Sequence, residues 1–248
     1  MPVTVPPNDP CPVAEHDQPA PDDQLFRDIR NRFDNAEVAR TYARRKNAPT
    51  RRNLREWACI EKALRGVPAG AHVLDLPCGT GRLEPLLAAK GFPVTAADYS
   101  EHMIEQATAA YLGSTGYEQL PEHIRFVCQD VMHTDFPDGA FDAVICNRLL
   151  HHYPTPELRR RALRELARIT KGVLVVSYFS SLAVSAWKFH VSNHLKGRTP
   201  TDRIPIPFGE LQKDLEDVGL RCTGSFPVRY GLSPQTYLRL TRCAAARA

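Results

Sequence analysis

The residues best suited to chemistry lie in one short stretch and in the acids and histidines downstream of it. Residues 73–82 read VLDLPCGTGR: an apolar run, Asp75, then Gly79 and Gly81 spaced Gly-x-Gly, then Arg82. Glycines in such a turn let a ligand approach bare backbone, which is how nucleotide-like molecules are commonly held. Downstream come Asp98, Asp130, Asn147, His151 and His152. A carboxylate accepts through two oxygens and suits a vicinal diol. A histidine titrates near neutral pH and can act as a base. A triphosphate loop is excluded, because no Lys-Ser or Lys-Thr pair follows the glycines. A dinucleotide fingerprint wants a third glycine where Glu84 stands, and an acid there opposes a diphosphate. Asp75, just before the turn, instead suits a ligand that carries positive charge.

The elements that must position these residues follow from the hydrophobic pattern. Short apolar runs at 72–77, 92–98, 124–130, 141–147 and 172–179 read as strands. Between them, 81–91, 100–112 and 155–170 read as helices, with Ser100 and Thr155 as N-caps and Pro156 in the first turn. This alternation implies a parallel sheet with both faces covered. A helix at 207–220 precedes two strands that are close in sequence with no helix between them, which predicts an antiparallel hairpin at the sheet edge. The expected fold is a Rossmann-like α/β three-layer sandwich with a seven-stranded, mostly parallel sheet. Such sheets bind ligands at the carboxyl ends of their strands, where Gly79 and Gly81 fall. Residues 25–64 are helical, polar and broken at Pro49.

VLDLPCGTGR resembles motif I of class I S-adenosylmethionine-dependent methyltransferases, in their type 11/25-like branch. Pro77 stands where that motif usually has its first glycine, which stiffens the turn, while the two later glycines remain. The next landmarks follow in order: VTAADYS, FVCQDVMHTDFPDGAFD and FDAVICNRLLHHYPTP. The resemblance covers about residues 72–179. It implies S-adenosylmethionine as cofactor, held by Asp75, Leu76, Pro77, Cys78, Gly79 and Gly81 of the turn. It implies Asp98 on the ribose hydroxyls, Tyr99 and Met103 against the adenine ring, and Asp130 and Val131 near the adenine amino group. It implies Asn147 at the methionine end and Tyr42 closing over the cofactor. His151 and His152 carry two readings, a general base for the acceptor or a structural pair bonded to backbone.

The acceptor is read from the flanking segments. Between Leu25 and Gly66 there are twelve lysines and arginines against five acids. Residues 180–207 hold Trp187, Phe189, His190, His194, Lys188, Lys196, Arg198 and Arg203, the composition of an aromatic and basic lid. Both suit a small anionic or aromatic acceptor, methylated on oxygen or nitrogen. RNA or protein is the alternative substrate class, and a non-catalytic partner subunit is the alternative role. Against nucleic acid, the segment after the fourth strand reads NRLL, not the [DN]-P-P-[YF] of base-amine methyltransferases. The organisation expected is a Pro-rich leader (1–24), a helical cap (25–66) and a cofactor-binding domain (67–248) with the lid at 180–207. Seven cysteines at 11, 59, 78, 128, 146, 222 and 243 make no C-x-x-C pair. That argues against a disulfide framework and structural zinc, and places the chain in a reducing cytoplasm. No apolar run reaches the length of a membrane span.

Overall fold

Seven strands build one sheet, in the order β3-β2-β1-β4-β5-β7-β6. They are β1 (Val73–Asp75), β2 (Val94–Asp98), β3 (Ile124–Cys128), β4 (Phe141–Cys146), β5 (Thr170–Phe179), β6 (Leu220–Pro227) and β7 (Gln235–Arg242). The computed structural model describes residues 21–46, 50–195 and 203–243. β1 to β5 pair in parallel, and β7 runs antiparallel between β5 and β6. The expected hairpin is therefore present, with its second strand inside the sheet and its first at the edge.

Successive residues of a strand point to opposite faces, and the core divides accordingly. Leu74, Val144, Cys146, Leu174 and Val176 enter one cluster; Val73, Ala143, Ile145, Val173 and Val175 enter the other. The first face is covered by α1 (Pro21–Phe33), α6 (Pro156–Ile169) and α8 (Phe208–Asp217), through residues such as Ile29, Leu163 and Leu215. The second is covered by α3 (Arg51–Ala63), α4 (Glu84–Ala88) and α5 (Glu101–Thr115), through Ile60, Leu87 and Tyr111. α2 (Ala36–Lys46) lies against α5. Ser100 caps α5 and Thr155 caps α6 through their side-chain oxygens, as the sequence predicts.

Several boundaries differ from expectation, for local reasons. The helix expected over 81–91 is only α4, because Gly81, at φ +75°, keeps the chain turning before the helix starts. The polar N-terminal helix has an extra break at Asn35, whose side-chain oxygen accepts from the N–H groups of Glu37 and Val38. α1 begins at Pro21, inside the stretch assigned to the leader; residues 1–20 lie outside the described residues. The lid contains a helix, α7 (Val184–Leu195).

Candidate active site

A cleft opens where the carboxyl ends of β1 to β4 meet α1 and α2, around a cavity of about 160 Å³. Of the residues singled out from sequence, Tyr42, Leu76, Pro77, Cys78, Gly79, Asp98, Tyr99, Met103, Asp130, Val131, Asn147 and His152 line it. Asp75, Gly81 and His151 do not.

Asp98 ends β2 under the glycine turn. Its Oδ2 accepts from the Gly79 N–H at 2.9 Å and its Oδ1 from the Ser100 N–H at 3.1 Å. Burial pushes its pKa up to about 6, against the opposing pull of those N–H groups. Each oxygen keeps a further lone pair for a ligand. Gly79 has φ +57°, and a Cβ there would meet no protein atom within 4 Å. The turn thus leaves room for a ligand against its backbone.

Asp75 sits beneath the turn, 1% exposed, beside the fully buried Glu84. Burial, then the charge of Glu84, raises the Asp75 pKa well above the carboxylate range, and burial lifts Glu84 to about 7. Without a shared proton, Asp75 Oδ1 and both Glu84 oxygens lack hydrogen-bond partners. A proton on Asp75, donated to Glu84, supplies one. The pair underpins the turn, and burial favours the protonated form of Asp75. Gly81 serves packing: a Cβ on it would lie 2.8 Å from the Ala107 backbone of α5.

Three groups escaped the sequence reading. The first is Arg30 of α1, whose Nη1 donates to Asp130 Oδ2 at 3.1 Å. Its guanidinium carbon lies 3.3 Å from the centre of the Tyr99 ring. The second is Glu56 of α3, fully buried and paired with Arg52, Arg82 and Arg148. Burial alone would raise its pKa, but Arg148, Arg82 and Arg52 outweigh burial and hold it below the ordinary value. The third is a chain of hydrogen bonds reaching Asn147. Arg52 donates to Gln235 Oε1, Gln235 Nε2 to the Tyr237 hydroxyl, and that hydroxyl to Asn147 Oδ1, at 3.1, 2.9 and 2.8 Å. Burial raises the Tyr237 pKa, so the phenol keeps its proton.

The two histidines are held differently. His152 meets the Phe33 ring edge-on at 5.1 Å, while His151 stacks flat on Phe179 at 3.9 Å. Both line a second cavity beside the cleft. Of the lid residues, Arg203 lines that cavity and Trp187 is exposed. Lys196 and Arg198, and the side chains of Lys188, Phe189, His190 and His194, lie outside what the structure describes. Burial raises the thiol pKa of Cys78 and Cys146, which keeps both protonated. No group of three or more His, Cys, Asp or Glu among the described residues could hold a metal ion. No helix among them is long and apolar enough to cross a membrane.

Residues 73–172 match the family model described as a methyltransferase domain. A demethylmenaquinone methyltransferase of Clavibacter sepedonicus is 30% identical over 66% of this chain and 64% of its own length. A ubiquinone biosynthesis O-methyltransferase of Coxiella burnetii is 35% identical over 41% of this chain and 40% of its own. The chain thus spans from 40% to 64% of the length of these curated relatives. Among solved structures, the magnesium protoporphyrin IX methyltransferase of Synechocystis with bound SAH superposes with TM-score 0.59 at 19% identity, covering 92% of this chain and 90% of that one. The PH0226 protein of Pyrococcus horikoshii gives TM-score 0.61 at 19% identity, covering 80% and 94%. At such identities the structural likeness carries the fold.

Proposed function

We propose that the chain is a class I S-adenosylmethionine-dependent methyltransferase, a reading supported by the methyltransferase-domain match and by the methyltransferase relatives, and that it methylates a small-molecule acceptor with S-adenosylmethionine as donor. The observation that carries this reading is Asp98. It is a carboxylate anchored by two backbone N–H groups at the end of β2, next to a glycine turn with open space before it. That arrangement fits a ribose diol. When bound, the cofactor would supply a methyl carbon activated by a sulfonium, to which an acceptor's lone pair would bond as the carbon–sulfur bond breaks and its electron pair returns to sulfur.

The protein's part is to position and to exclude water. Asp98 would take the diol, Tyr99 and Met103 would flank the adenine ring, and Asp130 with Val131 would border its amino group, all of them lining the cleft. Leu76, Pro77, Cys78 and Gly79 offer the wall of the turn. Asn147, oriented by Tyr237, reaches the methionine end. Tyr42, with α1, covers the opening. His152 borders both the cleft and the second cavity, where it can take the proton of a hydroxyl or amine acceptor. His151, packed on Phe179, keeps that turn in place. The demethylmenaquinone and ubiquinone-biosynthesis relatives support a small-molecule acceptor.

Calorimetric titration with S-adenosylhomocysteine tests the reading. The wild type is expected to bind, and Asp98→Ala to bind at least tenfold more weakly, about 1.4 kcal/mol, with its fold intact by circular dichroism. Equal affinity in the two proteins would refute the ribose role of Asp98. Absence of binding to the wild type would return the chain to a non-catalytic role.

A further inference from the structure

The second cavity, of about 590 Å³, shares Phe33, Tyr42, Arg148 and His152 with the cofactor cleft. A molecule held in it borders the cleft directly, where an acceptor must wait. Among its described lining residues are six arginines, at 32, 52, 55, 148, 203 and 229, and no aspartate or glutamate. Like charges gathered around a concave wall repel one another and focus a positive potential into the space between them. Glu56, behind the wall, offsets part of that charge through Arg52 and Arg148.

The backbone adds an independent observation. Arg148 and Arg203, at φ +60° and +56°, are the two non-glycine residues with positive φ among those described. Left-handed backbone is unfavourable for a side chain with a Cβ, and such strain gathers at ligand sites. Here both instances carry a guanidinium into the lining of one cavity. Arg148 is also fixed in place: its N–H donates to Ser177 Oγ at 2.7 Å, and its Nη2 reaches both Glu56 oxygens, at 2.7 and 2.6 Å. A guanidinium held in advance loses little freedom when it binds an anion, and its planar fork matches carboxylate and phosphate oxygens.

We propose that this cavity is the acceptor site and that the acceptor is a small polyanion, recognised through two or more carboxylate or phosphate groups. The proposal rests on the methyltransferase reading and names its substrate class. A nucleic acid would need a basic track along an extended backbone; these arginines gather around one concave volume beside the cleft.

The test uses the full chain with and without S-adenosylhomocysteine, at about 50 mM salt, where screening is modest. Citrate, pyrophosphate and a single-stranded RNA of about 20 nucleotides are titrated in turn. The double variant Arg55→Gln/Arg229→Gln changes two exposed side chains of the lining. Citrate or pyrophosphate is expected to bind with a Kd below about 1 mM, and at least tenfold more weakly to the variant. Citrate preferred indicates a polycarboxylate acceptor, and pyrophosphate preferred a phosphorylated one. S-adenosylhomocysteine affinity should stay within about twofold in the variant. No binding of either small anion at about 10 mM, or equal binding by the variant, overturns the proposal. RNA bound more tightly than both also overturns it, in favour of a nucleic-acid substrate. Failure of S-adenosylhomocysteine to bind the wild type is read separately, as failure of the function beneath it.

Discussion

Asp75 and Glu84 meet under the glycine turn with almost no solvent around them. Both pKa values stand above those of the unfolded chain, with Glu84 at about 7. The native state therefore binds a proton more tightly than the unfolded state does. The stability linked to this pair is fully present below the unfolded values and is lost as pH rises toward about 7. Glu84→Gln keeps the shape and puts a permanent donor beside Asp75. The melting temperature of the variant relative to wild type is expected to climb steadily from about pH 5 to pH 8. A constant difference across that window would show that no proton is shared. The residue types were legible in the sequence, but their burial was not. A Gly-x-Gly turn preceded by an acid reads as a charged site, whereas packing beneath the turn joins that acid to a second one nine residues on.

At the scale of elements, the strand–helix alternation was legible because period-2 and period-3.6 patterns are local. The covering of the cleft by α1 was not, since nothing in a run of arginines says which one reaches which strand end. Arg30 lies over Tyr99 and pairs with Asp130, the two groups proposed to receive the adenine. A guanidinium and an adenine cannot both stack on the same ring face beside the same carboxylate. The contact is partly exposed, with side-chain accessibilities of 26% and 22%, so α1 holds it only weakly. Arg30→Ala is expected to tighten S-adenosylhomocysteine binding about two- to fivefold, by removing the competitor, with the faster association visible in stopped flow. Weaker binding of the variant would instead make Arg30 part of the adenine site.

At the scale of the whole molecule, the cleft is joined to α3 through β7, the strand next to the sheet edge. Topology places that strand beside β5, so Gln235 and Tyr237 come within reach of Arg52 and Asn147, residues 183 and 90 positions away. No window of sequence contains such a chain of contacts, which is why Glu56, Gln235 and Tyr237 went unread while Asp98 and Asp130 were found. The chain runs from α3 through β7 to the residue after β4, and Gln235 and Tyr237 within it are fully buried. Tyr237→Phe preserves the ring and deletes one hydroxyl, leaving the Gln235 amide and the Asn147 oxygen without the partner they share. A buried polar group left unmatched costs about 1–3 kcal/mol, which in a chain of this size lowers Tm by about 2–12 °C. Because Asn147 also borders the cleft, the same variant should weaken S-adenosylhomocysteine binding by about threefold or more, a loss of orientation and not of contact. Calorimetry on the purified variant reads both. An unchanged Tm with unchanged affinity would mean that Asn147 is held by its own loop, and that β7 takes no part in shaping the site.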